Sequence, residues 1–493
     1  MKNSHTDLNQ NDSVPSNRLS FGRMMAFAVG DIFGGGSFNI INFLYPGFLA
    51  LAVGLSAQLA GVVMLIARIF DAVIDPAIGF FSDRLRIKFY TRRGSIIICA
   101  PFLVFSMFLM FYPYKNPDVT VRFCSVLFSY IFFCAVQSLI MIPYYSLSSE
   151  ITEDYTDRAR MTTLRLGFSI FSSIVCVAVP GMIVNRFDGN NGYIAMSLIF
   201  GTLFMICVGI TGLFAKEGVP APKKAEPKES GNYKKIFDSF FRPFRVKAFR
   251  QYLYIFLCCQ MTMAIMSALF FFYVDFYFCS ELTAGGNDNI VGLLGAAIMF
   301  GMQIVALPVY LAMIKKTGKT TVYIAGSLIW IIGALFLFVI PANSNPVFIY
   351  ILAAVLGFGI SGPGLIPHAI FGDVVDVGNL QFGEHTAGAF GGIANLVIQI
   401  SQAAGLAVVM AIIGAAGFIE SDITLGDAGK VFEQPASAQT AIIIIMALSP
   451  LIFMSFGIFV CAKYRLNKEK HAQVLAALQE GDEEKKANVL KSL

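Results

Sequence analysis

The sequence predicts an all-α polytopic membrane protein with twelve transmembrane helices in two six-helix halves and both termini in the cytoplasm. Three observations predict it. Of 493 residues, 56% are hydrophobic and only 14% charged, against about 25% charged in an ordinary soluble protein. Twelve apolar segments are each long enough to cross a bilayer. Their intervening loops divide Lys and Arg unequally between the two sides. The composition excludes a soluble enzyme, a nucleic-acid-binding domain and a secreted disulfide scaffold, because too little charge is available to cover a water-facing surface.

The apolar segments lie near 24–53, 57–82, 95–114, 121–149, 163–184, 193–215, 250–279, 289–314, 321–340, 347–372, 387–418 and 438–462. A backbone in hydrocarbon must satisfy its own hydrogen bonds, so each is expected to be a helix. The runs are too long and too unalternating for a barrel. With cytoplasmic termini, 30 of the 36 Lys and Arg fall on the cytoplasmic side. Lys115, Arg122, Arg186 and Lys430 fall outside, and Arg68 and Arg165 within spans. This is the positive-inside pattern.

Residues 1–20 are polar, with no signal-peptide core, so the first span is expected to stay uncleaved. Domain boundaries follow from the charge pattern: an N-terminal half over 1–215, a linker over 216–249, a C-terminal half over 250–462 and a tail over 463–493. The linker begins charged and Pro-rich, then turns basic and aromatic through Phe237, Phe240, Arg242, Phe244 and Arg245. That stretch is expected along the membrane surface. The tail, with a short amphipathic helix near 471–479, is expected to be a solvated end. The nine Cys lack metal spacing and read as small apolar packers. Lys315 to Thr320 resembles the end of a P-loop, but Met313 stands where its first Gly belongs and the segment joins two membrane helices. No nucleotide site is expected. Nor is a nucleophile–base pair expected, so the chain is not expected to be an enzyme.

Ionisable residues within spans are costly and mark function. Asp71 and Asp75, four apart, share one face of span two. Two such carboxylates repel unless a cation or proton lies between them. Arg68, one turn earlier, can pair with Asp71 when the cation is absent; a static ion pair between helices is the alternative. Ser138 in span four offers a further hard oxygen for a cation, or bonds its own backbone. Asp31 in span one and Arg165 in span five suit sugar hydroxyls if they face one cavity, and Arg165 alone suits an anionic substrate. His368 ends a stretch, Gly357 to Gly364, expected to be a broken helix lining a cavity; it is a substrate contact, a proton carrier or a packing residue. Asn395, Gln399 and Gln402 form a polar stripe in span eleven that faces the cavity or bonds neighbouring helices. Asp373, Asp376 and Glu384, with Glu150, Glu153 and Asp154, are expected to gate against Arg84, Arg86 or Arg158.

Ala67-Arg68-Ile69-Phe70-Asp71-Ala72-Val73-Ile74-Asp75-Pro76, followed by Gly79 and Asp83-Arg84, resembles the span-two signature of the glycoside–pentoside–hexuronide:cation symporters, the melibiose-permease branch of the major facilitator superfamily. Gly30-Asp31, Ile142-Pro143-Tyr144-Tyr145 and Asp373-Val374-Val375-Asp376 resemble its other motifs in order. The resemblance implies sugar import by alternating access, coupled to H⁺, Na⁺ or Li⁺. It implies that Asp71, Asp75 and Ser138 carry the cation and that Asp31, Arg165 and Tyr145 contact substrate. No cofactor is expected beyond the coupling ion, and no metal beyond sodium at Asp71 and Asp75. The expected partners are the bilayer and a small sugar or sugar derivative, without nucleic acid. A monomer in a bacterial inner membrane is expected.

The chain departs from that pattern at three positions. Ile74 replaces an amide beside the second cation carboxylate, which favours H⁺ over Na⁺. Met141 replaces a galactoside-binding carboxylate, which disfavours an α-galactoside. Gln399 replaces a Lys. A modified or acidic sugar or a hydrophobic glycoside therefore fits better than melibiose. The alternatives are a non-sugar cargo on the same fold, an organosulfonate or an amphipathic lipid, and a non-transporting sensor.

Overall fold

The computed structural model describes residues 19–85, 92–152, 155–187, 191–215, 242–279, 290–383, 387–419, 433–464, 466, 468–480 and 483–492. Among them, twelve helices are long and apolar enough to cross a membrane. These are α1 Phe21–Ala52, α2 Ala57–Leu85, α3 Arg92–Met110, α4 Val119–Ile151, α5 Tyr155–Arg186, α6 Asn191–Phe214, α7 Lys247–Phe278, α8 Ile290–Thr317, α9 Lys319–Phe338, α10 Val347–Phe382, α11 Ala387–Ala415 and α12 Ala436–Ala462. Two tail helices follow, α13 Lys468–Glu480 and α14 Glu483–Ser492. The first helix before the linker and the first after it share a detail: α1 closes in a π turn, Phe48–Ala52, and α7 in another, Val274–Phe278.

Three contacts join the first six helices to the last six: α1 on α7, α2 on α11 and α5 on α8. At one end of the bundle they are tight. Phe43 of α1 meets Phe271 and Phe300 edge-on, with centroids 5.8 and 5.7 Å apart. A Cβ on Gly61 of α2 would press on Ala407 and Met410 of α11, one on Gly414 would strike Gln58, and one on Gly181 of α5 would strike Leu293 of α8. All four positions lie at helix ends away from the loops rich in Lys and Arg. At this end Arg122, buried at the start of α4, donates to the carbonyls of Val53 and Gly54 at 2.8 and 2.9 Å. Its charge thus satisfies the turn between α1 and α2, where the expectation was a loop cation.

Three other expectations change. The stretch from Gly357 to Gly364 is not broken: α10 runs through it, Pro363 and Pro367 included. Its glycines serve close approach, since a Cβ on Gly357 would overlap the Met299 carbonyl and one on Gly359 the Trp330 backbone. The aromatic end of the linker is packed rather than spread on a surface: Phe244 meets Phe249 at 5.9 Å, and Phe249, fully buried, meets Phe390 at 4.8 Å. The tail is not a solvated end. Helix α13 packs on α10, burying Val474 and Ala477, and His471 Nε2 lies 2.9 Å from Asp376 Oδ2.

Candidate functional site

The site begins with a bend in α1. At Gly30 the backbone tightens, with the Gly30 N–H bonded to the Phe27 carbonyl at 3.2 Å. The Ala26 carbonyl accepts from Thr211 Oγ1 of α6 at 2.7 Å, and the Phe27 carbonyl also accepts from the Tyr144 hydroxyl of α4 at 3.0 Å. Glycine is required here, because a Cβ would strike both Thr211 and Tyr144. The bend leaves Asp31 in the first turn of the next helical stretch, Asp31–Gly47. A carboxylate is favoured in the first turn of a helix. Gly34, Gly35 and Gly36 follow. A Cβ on Gly34 would meet Met141, Asp31 and Tyr145, and Cβ atoms on the next two would strike Ser169 and Ser172 of α5. The triplet therefore lets α5 approach α1 and leaves room around the carboxylate.

Into that room α5 delivers Arg165. Its Nε lies 3.9 Å from Asp31 Oδ2, and its guanidinium lies over the Tyr145 ring, 5.3 Å from the centroid. The Ser169 side chain lies beside Asp31. The contact to Asp31 is an ion pair too long for a hydrogen bond. The buried Arg165 Nε has no hydrogen-bond partner among the described residues. Asp31 is buried, whereas Tyr145 is 47% exposed. Three residues far apart in sequence therefore meet, with an unused donor among them.

The second cluster lies on α2 and α4. Asp71 and Asp75 project on one face, and Ser138 Oγ stands between them, 3.2 Å from Asp71 Oδ1 and 2.5 Å from Asp75 Oδ1. A hydroxyl has one proton and can donate to only one carboxylate at a time. Its lone pairs remain available to a cation. Arg68 Nη1 lies 3.7 Å from Asp71 Oδ2, and its guanidinium lies over Phe38, 5.4 Å from the centroid. The Gln399 side chain of α11 lies beside Asp75, and its Oε1 is buried without a partner among the described residues. Oxygens from two carboxylates, a hydroxyl and an amide suit a hard cation. The carboxylates alone suit a proton.

A two-lobed cavity lies between the halves. The larger lobe, about 330 Å³, runs between α5, α7, α8 and α10, with His368 in its wall. The smaller, about 160 Å³, lies between α1, α7, α8, α10 and α11. Both lobes share Gln260, Met263, Phe300, Gln303 and Ile360. His368 faces the cavity and meets Phe256 edge-on at 5.1 Å. Gln402 lines the smaller lobe. Asn395 is exposed and lines neither lobe. Gln399, expected at the substrate, lies beside Asp75. Sequence reasoning passed over Asn39, Asn42, Gln260 and Gln303. Their signal was plain: amides inside spans otherwise made of apolar residues.

At the basic end, Asp373 is bonded by Lys319 Nζ at 2.5 Å, and His471 lies between it and Asp376, at 3.8 and 2.9 Å. These partners differ from the arginines expected. The side chains of Arg84, Arg158 and Glu150, together with Arg86, Glu153, Asp154 and Glu384, lie outside the described residues.

Comparison with known proteins agrees with this architecture. The family model for the MFS/sugar transport proteins matches residues 26–468. An uncharacterized symporter of Synechocystis sp. is 26% identical, over 95% of this chain and 98% of its own. The sodium-dependent lysophosphatidylcholine symporter 1 of Gallus gallus is 23% identical, over 95% and 90%. The isoprimeverose transporter of Lactiplantibacillus pentosus is 24% identical, over 93% and 94%. Among solved structures, a bacterial homolog of the human lysosomal transporter Spinster superposes with a TM-score of 0.63 at 13% identity, over 90% and 98%, which speaks for the fold alone. With a family model spanning nearly the whole chain and twelve helices arranged as in its structural neighbours, the chain belongs to the MFS/sugar transport protein family of membrane transporters and is not an enzyme.

Proposed function

We propose that this transporter is a cation-coupled symporter that carries a sugar, glycoside or sugar acid inward by alternating access. One observation carries the reading: the Ser138 hydroxyl lies between Asp71 and Asp75, with the Gln399 amide alongside. Two buried carboxylates held this close repel, and a bound cation or proton relieves the repulsion. Gln399 comes from the other half of the molecule, so charge at Asp75 bears on how the halves meet. Asp31, Arg165 and Tyr145 form the polar anchor for substrate, and the buried Arg165 Nε supplies an unused donor. The positive-inside pattern puts the basic loops in the cytoplasm, so the tight contacts of α1–α7, α2–α11 and α5–α8 close the outer side of a bacterial inner membrane. The site then faces inward. On this reading the six-helix halves, over 1–215 and 250–462, move against each other, and a single chain suffices.

Relatives of similar distance are named for isoprimeverose and for lysophosphatidylcholine. An amphipathic phospholipid is therefore the second reading, favoured by Arg165 as a counter-charge. A calorimetric screen of the purified protein tests both. Sugars, sugar acids and lysophosphatidylcholine are titrated with and without Na⁺ at several pH values. Binding of a sugar that tightens with Na⁺ or acidity supports the symporter reading. Binding of the lipid with no response to sugars replaces the first reading by the second.

A further inference from the structure

We infer that the outer face of the seam between α7 and α12, at the basic end of the bundle, is a binding site for one anionic phospholipid of the adjoining leaflet. Lys247, Arg250 and Tyr254 follow at spacings of three and four, so they share one face of α7. Phe456, Phe459 and Lys463 repeat that spacing at the end of α12. All six side chains are exposed, and none of them lines the cavity between the halves. The two faces adjoin. The Tyr254 and Phe456 rings meet edge-on at 6.0 Å, and Gln251 Nε2 donates to the Lys463 carbonyl at 3.1 Å. The two helices run antiparallel here, so cation lies beside cation and ring beside ring. Seven residues separate Lys247 from Tyr254, and Phe456 from Lys463, about 10 Å along each helix. That step leads from headgroup depth across the interface and into hydrocarbon.

The chemistry of the occupant follows from what the face lacks. Asp and Glu are absent from 242–274 and from 436–468. Among the described residues, Arg250 and Lys463 have no acidic partner. Lys463 Nζ instead lies over the Phe459 ring, 3.9 Å from its centroid. An ammonium laid on a lipid-facing ring is a charge without a counter-ion at the edge of hydrocarbon. A phosphodiester supplies that counter-charge and accepts the directed donors of Arg250. The acyl chains below it cover Tyr254, Phe456 and Phe459. A zwitterionic lipid would bring its own cation into the cluster, and a free phosphate would leave the rings uncovered. Lys315 and Lys316, at the end of α8, are as exposed, but α8 presents no exposed aromatic ring beneath them. Charge alone therefore does not make the site; charge stacked over rings does.

The test is native mass spectrometry of the full-length protein released from nanodiscs of equal phosphatidylglycerol and phosphatidylcholine. One phosphatidylglycerol is expected to stay bound, preferred at least tenfold over phosphatidylcholine. The double variant Arg250→Gln, Lys463→Gln should lose that preference. Lys315→Gln, Lys316→Gln removes the same charge from the same end and should keep it. If the first variant melts early, Phe456→Ala, Phe459→Ala reads the same site with every charge retained, and should also release the lipid. Added phosphatidylglycerol should raise the melting temperature of the wild type in detergent, and glycerol phosphate should not. No preference in the wild type overturns the site. Equal loss in the two lysine and arginine variants reduces it to general surface charge, and an equal shift with glycerol phosphate reduces it to an anion site. A dimer in the spectra that Phe456→Ala, Phe459→Ala dissociates would assign the face to a second copy of the chain instead.

Discussion

The Gln399 amide on α11 lies beside Asp75 on α2, so the carboxylate proposed for the cation in the first half of the chain meets an amide from the second. The pair sits further along the antiparallel α2–α11 contact that begins with Gln58 against Gly414. A hydrogen bond to a charged group contributes about 1.5–3 kcal/mol. Gln399→Ala is expected to raise the ion concentration for half-maximal uptake about tenfold or more and to slow concentrative uptake. Counterflow between equal substrate pools should persist. An unchanged ion dependence in proteoliposomes would remove Gln399 from the cation site.

The oxygen set at Asp71, Asp75 and Ser138 admits either a proton or sodium, and Ile74 supplies no further oxygen. Uptake by cells is expected to collapse with a protonophore and to be indifferent to Na⁺. Asp75→Cys is expected to abolish accumulation while leaving exchange of bound substrate. Strict Na⁺ dependence would mean that the Gln399 amide or water supplies the missing ligand. Full accumulation by Asp75→Cys would end the cation role altogether.

Among the described residues, Arg165 is the one cation paired with Asp31, and it lies over Tyr145. Arg165→Ala should lower substrate affinity by about a hundredfold, the loss of two charge-assisted hydrogen bonds. Helical content by circular dichroism should be retained. Arg165→Lys should recover little of that loss, because an ammonium cannot reproduce the planar fork. Wild-type affinity in either variant would refute the contact.

Arg122 has a structural task, bonding the Val53 and Gly54 carbonyls from a buried position. Arg122→Ala leaves two carbonyls without their donor and is expected to cost about 2–4 kcal/mol. The melting temperature in detergent should fall by several degrees, with substrate affinity unchanged in the surviving folded protein.

His471 touches Asp376 and Asp373 and is the polar anchor of α13. His471→Ala should make α13 more accessible to protease near Val474, read as faster loss of the tail by mass spectrometry. Equal cleavage of both proteins would show that Val474 and Ala477 hold the helix without it.

Much of this was legible in the sequence. Twelve spans follow from hydropathy alone, because a bilayer imposes one length and one backbone solution on every crossing. The Asp71–Asp75 pair was visible as a four-residue repeat of an expensive residue. Partners supplied by distant helices were harder. Nothing local in α11 says that Gln399 meets Asp75 while Asn395, one turn earlier, is exposed. The cavity amides were overlooked because a single Gln in an apolar span also suits a bond to a neighbouring helix, and only the packed bundle reveals which ones lack it. The tail misled for another reason. Its charge suggested solvation, but Val474 and Ala477 are buried on α13 and its His reaches Asp376 and Asp373 of α10.

The oxygens proposed for the cation come from α2 and α4, while the cavity amides Gln260 and Gln303 come from α7 and α8. On the proposed reading, the carboxylates that choose the ion and these two amides sit on different helices. A lineage can exchange Gln260 or Gln303 for other side chains and adopt a new nutrient without retuning its energy source. Such separation gives selection two independent dials, and makes the amides of α7 and α8 the first positions to alter in redirecting this scaffold to another cargo.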